Sequence, residues 1–161
     1  MAFLHEQNKL WQHIESLARE LEFTIYDLEK RGRGKIIVSI NKATKATAVT
    51  SEDCSKLVRK LMNDFLITGE SFGLTNEPEI EVCSPGINRI LRLSQHFMNA
   101  LGERVKIIVQ AAGTKNGTIL LVGNLIASDG KTACVADEQT KKEVSFLLED
   151  VKSARIDFKF D

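Results

Sequence analysis

The chain has 161 residues, 43% of them hydrophobic and 27% charged, a balance that supports an ordinary buried core and argues against a disordered chain. Lysine plus arginine and aspartate plus glutamate each number 22, so a strongly basic whole, the simplest signature of a nucleic-acid binder, is excluded and any such surface has to be local. Cys54, Cys83 and Cys134 are far apart and odd in number, the N-terminal residues lack a basic-then-apolar leader pattern, and the longest apolar run, Ile119 to Val122, falls far short of a membrane helix; a reducing, cytoplasmic setting is therefore expected.

Leu10, Trp11, Ile14, Leu17, Ala18 and Leu21 recur at the spacing of one buried helix face and predict a first helix. Glu22 to Glu29 and Lys35 to Ile40 read as two strands joined across Lys30 to Gly34, a hairpin with a basic tip. A second helix is expected after Thr50, where Thr50 and Asp53 are spaced as a capping box, with Cys54, Leu57, Val58, Leu61, Met62 and Phe65 as its buried face. A third strand, Glu79 to Cys83, stops at Ser84-Pro85-Gly86, a structural turn in which proline cannot donate to a ladder.

Beyond this point Ser94 is a candidate cap for a short helix running to Leu101, with Gly102 after it. The pattern then changes to short strands: Glu103 to Gln110, Thr118 to Ala127, Thr132 to Ala136, Glu143 to Leu148 and Ala154 to Phe160. Asn116-Gly117 and Asp129-Gly130 mark tight hairpins, and Glu149 to Ser153 a short turn. Several short strands in so small a span suggest a closed barrel, because closure removes exposed edges. The fold class expected is therefore α+β: an N-terminal α-β-β-α-β domain over residues 1–92, then a small all-β barrel over residues 93–161 that includes the short connector helix.

Clustered catalytic or metal-binding side chains are not apparent. His5, His13 and His96 form no metal-ligand spacing, Cys54 sits on an apolar helix face, and Gly32-Arg33-Gly34 joins two strands, whereas a dinucleotide fingerprint has to open a helix. Asn116-Gly117-Thr118 matches a glycosylation sequon, but its place in a predicted turn suffices to explain it. No catalytic residue, metal or cofactor is assigned.

Charge distribution is more informative than charge total. Lys30, Arg31, Arg33, Lys35, Lys42 and Lys45 fall in a stretch with no acidic residue before Glu52, and Arg89 and Arg92 lie in a second acid-free stretch. Phosphate recognition needs several cations on accessible backbone, so these are the candidate RNA-binding residues; an ordinary solvated cationic face fits the same composition. Glu70, Glu77, Glu79 and Glu81 form a separate acidic set suited to a basic protein.

The segment Glu81-Val82-Cys83-Ser84-Pro85-Gly86-Ile87-Asn88-Arg89-Ile90-Leu91 resembles the signature strand, SPG turn and Arg-containing segment of the bacterial ribosome maturation factor RimP family. Glu52-Asp53-Cys54, His96-Phe97 and Gly102-Glu103-Arg104-Val105-Lys106 fit the same pattern, and the similarity in order and spacing runs from Leu4 to Phe160. The resemblance implies a C-terminal SH3-like or Sm-like barrel and a non-enzymatic role in 30S subunit assembly. The implied partners are rRNA and a basic ribosomal protein near the decoding centre of the immature small ribosomal subunit. It implies no cofactor; separately, the short apolar runs predict no membrane association, and a monomer is expected. Asn88 and Ile90 stand where the family usually has Asp and Pro, and Cys83 where Ser is common; loss of the proline predicts a looser turn after Gly86. Two competing readings are an SH3-like peptide-binding adaptor using Tyr26, Phe146, Phe158 or Phe160 as anchors, and a thiol or hydrolytic enzyme using Cys83 and Ser84.

Overall fold

The computed structural model describes residues 2–44, 47–111 and 117–159. The chain divides into two compact units after Pro85. It is a mixed α+β protein with one sheet in each unit.

In the first unit a short strand β1 (Ala2–Phe3) precedes helix α1 (Lys9–Glu20), strands β2 (Phe23–Arg31) and β3 (Lys35–Lys42), helix α2 (Ser51–Thr68) and strand β4 (Glu79–Cys83). The expected α-β-β-α-β order is thus present with one added edge strand, too short to carry a periodicity of its own. Asn8 caps α1, its side chain accepting from the Leu10 N–H at 2.8 Å. Thr50 and Asp53 form the anticipated capping box at the start of α2. The sheet order is β1-β2-β3-β4, antiparallel except for β3 and β4, which run parallel with Lys35 opposite Glu79 and Ile37 opposite Glu81. A parallel neighbour needs a crossover, and α2 supplies it.

Leu10, Trp11, Ile14 and Ala18 of α1 are buried as expected, whereas Leu17 and Leu21 are half-buried. On α2 the buried stripe is narrower than predicted: Leu57, Leu61 and Phe65 are buried, Cys54 and Val58 half-buried, and Met62 lies 52% exposed. A step of about 100° separates Met62 from Leu61, enough to turn it off a stripe only one residue wide.

The second unit contains helix α3 (Ser94–Met98) and strands β5 (Arg104–Gln110), β6 (Thr118–Ser128), β7 (Thr132–Asp137), β8 (Glu143–Leu147) and β9 (Val151–Ile156), in sheet order β8-β7-β6-β5-β9. Its core joins Leu91, Phe97, Val105, Ile107, Leu125 and Val135, among others. The expected barrel is not closed: among the described residues no ladder joins β8 to β9. The free edge of β9 is instead met by the segment after Gly86, where Ile90 bridges Arg155, the Leu91 N–H donates to Ala154 at 2.9 Å and the Ile156 N–H donates to Arg89 at 3.0 Å. An edge covered in this way needs no closing strand.

The same contacts move the domain boundary. Arg89, Ile90 and Leu91 pair with β9, and the second unit begins at Gly86, not near Leu93 as expected. These contacts also give the segment after Gly86 partners on β9. Gly86 takes the left-handed conformation its lack of a Cβ permits (φ +85°), and Asn88 Oδ1 accepts from the Phe158 N–H at 3.0 Å. Ser94 is the first residue of α3 and not its cap. The buried His96 ring instead ties the helix back to the segment before it, its Nδ1 accepting from the N–H groups of Arg92 at 2.9 Å and Leu93 at 3.0 Å.

Candidate nucleic-acid interface

The predicted hairpin is present, with Gly32 at its tip in a left-handed conformation (φ +59°). Its cations, however, are not a bare positive surface. The Arg31 guanidinium donates to Glu29 at 2.8 Å, and this contact raises its already high pKa further. The Lys35 ammonium lies 3.4 Å from Glu79 and 3.6 Å from Glu81, and Lys42 lies 3.3 Å from Asp53. Lys30 turns its ammonium to the Phe72 carbonyl at 3.4 Å. Lys45 is outside the described residues. Arg33 alone of the tip cations is exposed with no carboxylate partner among the described residues.

Sequence reasoning failed here for a definite reason. A stretch without acids in the chain is not without acids in space: the parallel pairing of β3 with β4 lays Glu79 and Glu81 beside Lys35, and the first turn of α2 brings Asp53 to Lys42. Arg31, Lys35 and Lys42 are thereby met by Glu29, Glu79, Glu81 and Asp53, which leaves Arg33 as the hairpin-tip cation without a carboxylate among the described residues.

The second stretch fares similarly. Arg89 forms a two-pronged pair with Glu103, at 2.5 and 3.4 Å. Arg92 is half-buried, its backbone N–H donating to the His96 ring. Both lie in the second unit, so the hairpin cations and these two arginines are carried by separate compact bodies.

The sequence reading missed a different pair of cations. Lys106 on β5 and Arg155 on β9 are register partners, and neither has a carboxylate partner among the described residues. Partners across an antiparallel ladder share a face, so both project from the face opposite the buried Val105, Ile107, Ala154 and Ile156. The acids of this neighbourhood are already committed. Arg104 binds both Glu138, at 2.9 and 3.1 Å, and Asp157, while Glu103 is held by Arg89. The Arg104 guanidinium holds Glu138 below the usual carboxylate range. On the same face Leu120 is 43% exposed. The signal that could have found the pair is the alternation of β5 and β9, which puts Lys106 and Arg155 on polar positions; their juxtaposition needed the register.

Cys83, half-buried on β4, has Ser39 as its neighbour at 3.7 Å, and Ser84 is exposed. Burial raises the pKa of the Cys54 thiol. His13 contacts Asp64 at 2.5 Å, and Asp64 in turn accepts from the Thr68 hydroxyl at 2.7 Å, tying α1 to α2. Of the proposed aromatic anchors, Phe146 is buried in the second core, Tyr26 is half-buried, Phe158 is 51% exposed and Phe160 lies outside the described residues. Among the described residues no group of three His, Cys, Asp or Glu side chains could hold a metal ion, and no helix is long and apolar enough to cross a membrane. No protein-family model matches the chain.

Proposed function

We propose that this chain is a non-catalytic, cytoplasmic ribosome maturation factor that binds the immature small ribosomal subunit, contacting ribosomal RNA and a basic ribosomal protein. The observation that carries the RNA half is the opposed Lys106 and Arg155, two like charges in register while Glu103, Glu138 and Asp157 are engaged by other arginines. Like charges directly opposite on a sheet are destabilising, and a phosphodiester backbone is the polyanion that would relieve them. Arg33 at the hairpin tip adds a third cation, exposed and without a carboxylate partner among the described residues. The segment from Glu81 to Leu91, with its resemblance to the RimP family, supplies the choice of particle.

The finer architecture belongs to the same reading. A four-strand meander, β5 to β8, followed by a fifth strand, β9, that returns beside β5 has the strand order of an SH3-like or Sm-like fold. Function then follows from differential affinity: a factor that binds a folding intermediate more tightly than the mature particle shifts the population towards that intermediate, with no bond made or broken.

The test is sedimentation of the purified chain with immature small subunits, mature small subunits and large subunits at two salt concentrations. Selective pelleting with the immature small particle, weakened by salt, is the expected result. Equal recovery with all three, or with none, ends the proposal.

A further inference from the structure

The C-terminal half of α2 carries an apolar stripe that the core does not use. Met62 is 52% exposed, Leu66 55% and Ile67 88%. Isolated exposed aliphatic residues are ordinary on protein surfaces, but contiguous ones beside a concavity mark contact sites. Here a groove of about 310 Å³ runs along this stripe, lined by Met62, Asn63, Leu66, Asn76, Glu77 and Pro78. Gly69 makes the groove possible: a Cβ there would sit 2.6 Å from the Thr75 carbonyl oxygen, so only glycine lets the chain from Thr75 onward lie this close to the helix end.

The groove is electrically one-sided. Glu77 lines it, Glu70 lies one turn past Leu66, and neither has a cationic partner among the described residues. The last turn of α2 contains no basic residue, and the cation that reaches the turn beyond it, Lys30, is engaged at the Phe72 carbonyl at 3.4 Å rather than at either glutamate. On this stripe a cation, Arg59, appears only at the far end, a turn before Met62 and Asn63.

We infer that this groove is a docking site for a basic polypeptide segment, one aliphatic side chain seated against Met62 and Leu66 and its flanking lysines or arginines facing Glu77 and Glu70. The apolar stripe supplies the anchor and the acids the choice of partner charge. The inference rests on the reading above only for its expectation of a basic protein partner; the groove and the Lys106–Arg155 pair are carried by different units.

The experiment measures binding of the full chain to a short labelled peptide of alternating leucine and lysine, beside the same peptide with glutamate for lysine and one with serine for leucine. The lysine–leucine peptide is expected to bind and the other two to fail. Leu66→Ser should weaken binding ~10-fold, as truncation of a central anchor does. Glu77→Gln should give a smaller loss that disappears at high salt. Because both side chains are exposed, the variants should keep the parent's circular dichroism and melting profile. Equal binding of the glutamate peptide, unchanged binding by Leu66→Ser, or concentration-dependent self-association that Leu66→Ser abolishes would overturn the inference. RNA affinity measured on the same variants should not change, so loss of the RNA reading and loss of this one are told apart.

Discussion

Lys106 and Arg155 face each other across β5 and β9 while Arg104, two residues before Lys106, holds both Glu138 and Asp157. Glu138 and Asp157 are thus committed to one arginine, and the neighbouring pair of cations has no carboxylate partner among the described residues. Replacing both by glutamine should lower RNA affinity and flatten its salt dependence, by about 0.7 to 0.9 in log–log slope for each phosphate no longer neutralised. Stability should stay level or rise slightly, because an opposed like-charge pair has been removed. Filter binding at several salt concentrations and urea denaturation check the two halves separately.

The hairpin cations should not behave alike. Arg33→Gln removes a charge with no carboxylate partner and should weaken RNA binding more than Arg31→Gln or Lys35→Gln, whose cations are shared with Glu29, Glu79 and Glu81. Equal losses at all three positions would mean that RNA strips these carboxylates away on binding.

The capping box of α2 gives a pH-dependent contribution with a defined sign. The backbone N–H of Thr50, followed by its hydroxyl contact and Lys42, holds the Asp53 carboxyl below its ordinary value of 3.8. A depressed folded value means that this stabilisation is present above the unfolded pKa and is lost as pH falls through the folded one. Thr50→Ala should cost about 1 kcal/mol at neutral pH. Asp53→Asn should flatten the acid limb of the stability profile, followed by urea midpoints in the acid range.

Gly123 and Gly34 make a matched pair of glycine substitutions. A Cβ at Gly123 would lie 1.9 Å from the Ala136 carbonyl oxygen, a backbone atom of the neighbouring strand, whereas at Gly34 it would meet nothing within 4 Å. Gly123→Ala should therefore destabilise the second unit by at least about 1 to 3 kcal/mol, with Gly34→Ala near neutral. Thermal melts of the two variants distinguish them directly.

His96 is a buried acceptor for two backbone N–H groups, and no hydrophobic replacement can serve them. His96→Phe should cost about 2 to 3 kcal/mol through the unsatisfied donors. Faster amide exchange at Arg92 and Leu93 would accompany it.

Much of what depends on neighbours in the chain was legible. The Thr50–Asp53 capping box, the alternation of β3 and β5, the start of α2 after Thr50 and the stop of β4 before Pro85 follow from local sterics, periodicity and hydrogen-bond supply, whereas the Asn8 cap was not anticipated, Ser94 is no cap and β9 begins at Val151 rather than Ala154. Even the misassigned Met62 was a local matter, since helical spacing gives a stripe its direction but not its width.

Charge was not legible in this way. The acids that answer Lys35 come from a strand more than forty residues on, and a parallel crossover brings them there. Lys106 and Arg155 are likewise distant in the chain and adjacent only through register. The amino-acid order by itself determined where helices and strands form; the tertiary structure decided which charges cancel and which remain. Backbone conformation answers to contacts a few residues away, whereas Coulomb interaction depends on distance in space, which only strand pairing fixes.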